Sequence, residues 1–311
     1  MRTSSSCRLV GVGIREFLLM RQTGGVPEAP EVEALVRYLH PLLVGHVFVR
    51  IDLATINVLK TYDPPINALY GVEITDVTRR GKWIDIDASG LHVVIHLSRA
   101  GWLRYREELP KVPLKPGKGP MAARLVLDDG AGIDLTEAGT QKRLSMSIVR
   151  DPLDVAGVGR LGIDVLDGAF TVDVLRDILR GQRAQIKGTL TDQSLIAGVG
   201  NAYSDEVLWE VGMSPFAIAS SMTDTDIERL HDALVTTIAE AVERSSGLPA
   251  SDLKDDKRRA MNVHAQTGKP CPRCGDVVRE VSFATKSLQY CATCQTHGKP
   301  LADRRMSKLL K

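Results

Sequence analysis

Four of the five cysteines fall into two pairs, Cys271-x2-Cys274 and Cys291-x2-Cys294, with sixteen residues between the pairs. Each Cys-x2-Cys knuckle turns two thiolates toward one point, and two knuckles at this spacing describe a tetrahedral Zn²⁺ site. Four protein thiolates leave no open coordination position, so the expected cofactor is one structural Zn²⁺. A pair of disulfides would need an oxidising compartment that nothing else in the sequence indicates, and rubredoxin-like iron would be at odds with a chain otherwise free of redox features. Cys7 stands alone. A second constellation lies at Val26-Pro-Glu-Ala-Pro-Glu-Val-Glu, where Glu28 and Glu31 are one helical turn apart. On a helix both carboxylates share a face. The plainer reading is a helix start, where Pro and acidic side chains both fit.

These residues need elements to hold them. In Ala29–Leu39 the apolar positions Val32, Leu35, Val36 and Leu39 follow helical spacing, with Pro30 in the first turn and Pro41 as the stop. Strand signals fill about the next hundred residues. Val47, Val49, Ile51 and Leu53 alternate, as do Val72 and Ile74. Arg80-Gly81 turns into Trp83–Ile86, Leu91–Leu97 is an apolar run, and Asp128–Gly132 joins Arg124–Leu127 to Ile133–Leu135. After the glycine-rich stretch Asp151–Asp167 the period becomes helical. Phe170, Val174, Leu175 and Ile178 mark one helix, Ala184–Gln193 a second, and Ala202–Val211 a third beyond the turn Gly198-Val-Gly200. Thr225-x-x-Glu228 reads as a capping box opening a long helix that ends at Gly247, and polar residues 248–268 read as a mobile loop. The fold class is therefore α+β and multidomain: a β-sandwich behind one helix, a helical domain, and a small zinc module.

The chain has 311 residues, 43% hydrophobic and 25% charged, which suits one or two globular domains. No apolar run approaches the ~20 residues of a membrane span. The net charge of +2 hides an asymmetry: residues 251–311 hold 13 basic against 6 acidic side chains, a net +7 that leaves −5 on residues 1–250. A basic block on a balanced body suits a polyanion such as nucleic acid, or is a solvated tail. Residues 1–25 are Ser/Arg-rich at their start, and Arg15-Glu16 interrupts the apolar stretch, which argues against a secretory signal.

Val26-Pro-Glu-Ala-Pro-Glu-Val-Glu resembles the N-terminus of the formamidopyrimidine-DNA glycosylase / endonuclease VIII family, Met-Pro-Glu-Leu-Pro-Glu-Val-Glu. Three further matches follow in order: Arg79-Arg-Gly-Lys82, the segment Leu195-Ile-Ala-Gly-Val-Gly-Asn-Ala-Tyr203, and the four-Cys finger. The resemblance implies a catalytic β-sandwich over 27–152, a helix-two-turn-helix DNA-binding domain over 168–262, a zinc-finger β-hairpin over 265–298, and a basic tail over 299–311. It implies a bifunctional DNA glycosylase and apurinic/apyrimidinic lyase of base excision repair that acts on damaged double-stranded DNA. Such an enzyme would be a monomer without organic cofactor or membrane, working in the bacterial cytoplasm at the nucleoid. By resemblance Pro27 is the nucleophile, its secondary amine forming an iminium with the opened sugar. Glu28 is the general acid/base at O4′, Glu31 supports it, and Lys82 contacts the lesion phosphate and sugar. Lys187 and Asn201 grip the backbone, with Gly198 and Gly200 allowing close approach. On residue type alone Lys82 is equally an exposed turn lysine, and Asn201 a helix cap.

The match has departures. Lys286 stands where the family has a finger arginine, losing the bidentate fork. Arg99, in His96-Leu-Ser-Arg-Ala-Gly101, takes the place of the methionine that fills the gap left by a flipped base. Gln141-Lys-Arg-Leu144 puts Arg143 near the family's Arg-Phe wedge. Residues 248–262 replace the loop that caps 8-oxoguanine, and Arg304, Arg305 and Lys308 extend past the finger. Pro27 also follows 25 residues and Val26, which make its nitrogen a tertiary amide with no lone pair to offer. Catalysis then requires translation from Val26, read as methionine and removed, or proteolytic processing. The alternative is an impaired member that binds damaged DNA without excision; a generic zinc-ribbon protein would lack the Val-Pro-Glu and Gly-Val-Gly-Asn segments.

Overall fold

The computed structural model describes residues 26–112, 114–117, 119–283 and 287–302. Cys7, Lys286, Arg304, Arg305, Lys308 and the segment 1–25 lie outside the described residues. The chain enters through helix α1 (Ala29–Leu43). Its apolar face, Val32, Leu35, Val36 and Leu39, is buried as its spacing requires, and Leu43 extends that face by another turn. Pro41 lies inside the helix rather than ending it. In the last turn a proline removes one backbone bond and its fixed φ still suits the helix, so the stop falls at Val44 instead.

Two four-stranded antiparallel sheets follow. One runs β1 (Phe48–Leu53), β6 (Met121–Leu127), β7 (Gly132–Glu137), β5 (Gly101–Arg106); the other runs β2 (Asp76–Arg80), β3 (Trp83–Ala88), β4 (Leu91–His96), β8 (Ser145–Val149). Ile84, Ile86, Val93, Ile95, Leu125, Ile133 and Leu135 fill the core with α1. The alternation at Val72 and Ile74 does not form a strand; that stretch makes only isolated bridges, and the strand begins at Asp76. The register of the second sheet sets Arg80 against Trp83, Trp83 against His96, and His96 against Ser145. The turn at Gly81-Lys82, the turn carrying Arg99 and the loop carrying Arg143 therefore emerge at one end of the sandwich.

The second half holds β9 (Ile163–Asp164), α2 (Val172–Arg180), α3 (Ile186–Leu190), β10 (Ile196–Ala197), α4 (Asn201–Glu210) and α5 (Asp224–Ser245) around their own apolar core. The capping box of α5 uses Thr223 and Asp226, two residues before the expected pair, and the helix ends at Ser245. Asp226 reaches back to the Thr223 backbone as Glu228 was expected to reach Thr225, because a short carboxylate closes the same ring. Residues 248–268 are not a bare loop: α6 (Leu253–Ala260) lies within them, Leu253 packs into the sandwich core, and the Trp102 indole donates to the Ala250 carbonyl at 3.0 Å. The finger is a hairpin, β11 (Val278–Ser282) with β12 (Ser287–Cys291), followed by the short helix α7 (Ala292–Thr296).

The two halves are pinned by Arg79. Its guanidinium, nearly buried, donates to Glu33 of α1 at 2.9 Å and to both Asp164 oxygens of β9 at 2.6 and 2.9 Å. Arg79→Ala leaves two facing carboxylates without their cation and is expected to cost about 2–4 kcal/mol in urea unfolding, with Arg79→Lys recovering part of it.

Candidate active site and zinc centre

Pro27 is buried two residues before α1, whose Ala29 N–H donates to the Gly198 carbonyl at 3.0 Å. This contact places residues 26–31 against the turn Gly198-Val-Gly200 and the start of α4. There the Glu28 carboxylate accepts from the backbone N–H groups of Gly200 at 2.7 Å, Ala202 at 2.9 Å and Tyr203 at 3.3 Å. Unpaired N–H groups and the helix dipole make a helix N-terminus an anion site, and here a protein carboxylate occupies it. Gly200 is required for that approach, since a Cβ there would lie 2.4 Å from the Glu28 carboxyl carbon. Gly198, at φ +94°, likewise leaves room for Ala29.

Glu31 closes the same cluster. One of its oxygens accepts from the Glu28 backbone N–H at 2.8 Å and the other from the Tyr203 hydroxyl at 2.7 Å. Lys257 of α6 donates to Glu31 at 2.7 Å, faces Glu28 at 3.7 Å, and rests over the Tyr203 ring. Burial alone would push the Glu28 carboxyl up, but Lys257, Lys82 and the Ala202 N–H outweigh it and hold it below the usual carboxylate range. Burial likewise opposes the charge on Lys257, and Glu28 and Glu31 outweigh it, raising its pKa. Burial and the Glu31 carboxylate push the Tyr203 phenol well up, so it remains a donor at neutral pH. The Glu28 carboxyl is therefore ionised at pH 7, on the residue that follows Pro27 in the chain.

Lys82 reaches from the β2–β3 turn to the Val199 carbonyl at 2.9 Å, which sets it beside this cluster. His96 packs at a tilt against Trp83 with ring centroids 4.4 Å apart; burial and the Lys82 charge lower its pKa to about 4, so it is neutral at pH 7. Lys187 is buried and donates to the Asn201 carbonyl, the Ser204 hydroxyl and Asp205 at 2.7–3.0 Å. Asn201 is the first residue of α4 and not its cap; its side-chain amide donates to the Ser287 carbonyl at 2.9 Å, tying the helix to the finger. Arg99 and Arg143 lie exposed on the neighbouring turns, where Ala138 N–H donates to the Ala100 carbonyl. Sequence reasoning missed Lys257 and Tyr203. Tyr203 sits inside the recognised Gly-Val-Gly-Asn-Ala-Tyr segment, and the only signal for Lys257 was its place four residues after Leu253, on one helix face.

The four thiols Cys271, Cys274, Cys291 and Cys294 converge with every sulfur within 4.8 Å of the others. A tetrahedral ion with bonds of 2.3 Å sets its sulfurs roughly 3.8 Å apart, and the pairs Cys271–Cys294 and Cys274–Cys291 are at 3.9 and 3.4 Å. Burial and the neighbouring thiols push Cys291 up to about 11 and Cys294 further, so a set of four thiolates needs a cation among them. Cys271 is lowered to about 7: burial opposes this, but the Trp209 indole N–H at 3.3 Å and nearby backbone N–H groups prevail. These residues fit one structural Zn²⁺, and Arg273, stacked 4.3 Å over Trp209, ties the finger to α4.

Three family descriptions match in tandem. The formamidopyrimidine-DNA glycosylase N-terminal domain covers residues 26–141, the formamidopyrimidine-DNA glycosylase H2TH domain 161–251, and the zinc finger found in FPG and IleRS 268–296. A Mycobacterium tuberculosis protein described as an uncharacterized formamidopyrimidine-DNA glycosylase-like protein is 54% identical over 151 residues, 49% of this chain and 94% of that one. The formamidopyrimidine-DNA glycosylase of Desulforamulus reducens is 31% identical over 280 residues, 87% of this chain and 99% of that protein. Among solved structures, the MutM (Fpg) protein of Thermus thermophilus superposes with a TM-score of 0.74 at 30% identity, covering 88% of this chain and 100% of that one. A MutM complex with DNA containing carbocyclic 8-oxo-G shares the fold, with a TM-score of 0.76 at 24% identity over 87% of this chain and all of that one.

Metal analysis is expected to find one zinc per chain, and a strong chelator to release it while altering the near-UV signal of Trp209; an unaltered signal in zinc-free protein would contradict the assignment. Gly200→Ala is expected to displace the Glu28 carboxylate and lower unfolding stability by about 1–3 kcal/mol, read from urea midpoints.

Proposed function

The chain belongs to the formamidopyrimidine-DNA glycosylase family, and from that premise we propose that it is a base-excision-repair glycosylase with lyase activity, using Pro27 as an amine nucleophile on damaged duplex DNA. The observation that carries the reading is the Glu28 carboxylate, adjacent in the chain to Pro27 and fixed by three backbone N–H groups. The damaged nucleotide leaves the stack so that its C1′ becomes accessible. An α-amino nitrogen, with an ordinary pKa near 8, is a better neutral nucleophile at pH 7 than a lysine near 10.4.

Glu28, ionised in the resting site, takes a proton from the Pro27 nitrogen and delivers it to O4′. The Pro27 lone pair forms the bond to C1′, and the base departs with the glycosidic electron pair. Protonation of O4′ opens the ring and leaves an iminium at C1′. The iminium acidifies C2′; loss of that proton expels the 3′ phosphate, and water later hydrolyses the adduct to free Pro27. Glu31 positions Glu28 through its backbone N–H, and the neutral Tyr203 hydroxyl in turn orients Glu31. Lys82 holds the phosphate and opened sugar, and Asn201 the adjoining backbone, with Lys187 fixing the Asn201 carbonyl. Arg99, Arg143 and Lys286 add positive contacts along the duplex, which make affinity fall with salt.

The nitrogen must be free for any of this, whereas in the chain with Val26 attached it is acylated. The form beginning at Pro27, made by placing a removable methionine before it, is expected to give a borohydride-trapped adduct on abasic-site DNA. Pro27→Gly is expected to diminish that adduct strongly, and the chain retaining residues 1–26 to give none. Absence of an adduct with the free Pro27 form would leave a damaged-DNA binder instead. Glu28→Gln is expected to reduce base excision by at least about 100-fold, with duplex affinity within about twofold of the parent in a gel-shift titration; excision at the parent rate would remove Glu28 from its role.

A further inference from the structure

Lys257 lies in the stretch expected to be a loop, yet it is 7% exposed and its ammonium meets four groups of the site. It donates to Glu31 at 2.7 Å, lies 3.7 Å from Glu28, sits 4.8 Å from the Tyr203 ring centre, and donates to the Val26 carbonyl oxygen at 3.3 Å. That oxygen is two bonds from the Pro27 nitrogen, so the ammonium is within about 6 Å of it. The placement is built in from outside the site. Leu253 anchors α6 in the sandwich core, Lys254 stacks 4.2 Å over Trp102, and Asp256 accepts from Arg244 of α5 at 3.2 Å.

Among the described residues, charged and titratable groups reach this point from four helices, one strand turn and one connecting segment. Glu28 caps α1 and Glu31 lies in its first turn, Lys82 comes from the β2–β3 turn, Tyr203 from α4, Arg244 from α5, His264 from the segment after α6, and Lys257 from α6 itself. Arg244 pairs with Asp256, His264 shares Asp205 with Lys187 at 2.8 and 2.7 Å, and Tyr203 is a neutral donor. Lys257 is the cation that faces both Glu28 and Glu31 beside Pro27, and Lys82 adds positive charge that acts on Glu28. Without Lys257 the Glu28–Glu31 pair loses the cation between its carboxylates, and the negative charge beside the nitrogen favours a protonated amine.

Resting on the reading of Pro27 as the nucleophile, we propose that Lys257 is its positioning residue: the ammonium balances the Glu28–Glu31 pair beside the nitrogen and so keeps the liberated amine unprotonated near neutral pH. A charge at this range moves a neighbouring group by roughly one to three pH units. The rate of adduct formation rises with pH as the amine loses its proton, so the midpoint of that rise reports the amine directly.

The test is the single-turnover rate of borohydride-trappable adduct formation between pH 5 and 9.5, using the form beginning at Pro27 and abasic-site duplex. In Lys257→Met and Lys257→Gln the midpoint is expected to move up by one unit or more, with at least a tenfold loss at pH 6 that largely recovers at pH 9.5. Lys257→Arg is expected to keep the parent midpoint. A uniform loss at every pH with an unmoved midpoint makes Lys257 merely structural and overturns the proposal, while the parent adduct leaves the nucleophile assignment standing. No adduct from the parent at any pH overturns that assignment and this inference with it. Should neither neutral variant fold, titration of ¹⁵N-labelled Pro27 in the parent decides: a midpoint below the ordinary α-amino value of about 8 supports the balance, and one at 9 or above overturns it.

Discussion

A carboxylate seated on the first turn of a helix from another part of the chain is the constraint on which the rest of this structure depends. Burying Glu28 is costly, and the cost is offset because three N–H groups at the start of α4, that of its cap Gly200 included, and two lysines converge on it. Each requirement propagates outward. The N–H groups are exposed to Glu28 because residue 200 has no Cβ, and the turn before it fits against Ala29 because residue 198 has none. The lysines arrive from a strand turn and from α6, whose positions are fixed by the sandwich. Arg79, bridging Glu33 and Asp164, holds the two halves in the register that this contact needs. Residues about 170 positions apart in the chain thus form one site.

The charge arithmetic around that site explains how so many ionisable groups share a small buried volume. Glu31 has each oxygen satisfied by a different partner, and Lys257 lies between it and Glu28. Among the described residues no buried side-chain nitrogen or oxygen is left without a partner. Sign fixes where the arrangement holds. The Glu28 carboxyl is lowered on folding, so its contribution is present above its ordinary value near 4.5 and fades as pH falls through the lower folded value. Lys257 is raised, so its contribution is full below its ordinary value near 10.5 and fades as pH rises through the higher folded one. Between those limits the cluster is intact.

Much of this was legible in the sequence where local chemistry decides structure. The Cys-x2-Cys knuckles, the helical spacing of Val32, Leu35, Val36 and Leu39, and the turn at Gly81 depend on neighbours in the chain, and each appears as its pattern indicates. Gly200 was legible as a residue that allows close approach, but the structure shows a protein carboxylate in that space, which only the tertiary fold could reveal. The capping box of α5 shifted by two residues because Thr223-Asp226 and Thr225-Glu228 offer the same signal two positions apart. Lys257 was the larger miss. A run of Lys, Asp and Arg reads as a solvated segment, and nothing local distinguishes the one lysine whose helix face turns inward behind Leu253. Its burial follows from α6 packing against Trp102 and the core, contacts of long sequence separation.

The central claim is that the chemistry occurs at the nitrogen beside this seated carboxylate. It is tested most directly by locating the sugar in the borohydride-reduced adduct. Tryptic digestion and mass spectrometry of the form beginning at Pro27 are predicted to find the added mass on the peptide Pro27–Arg37, on its first nitrogen. A sugar attached instead to a peptide bearing Lys82 or Lys257 would contradict the account.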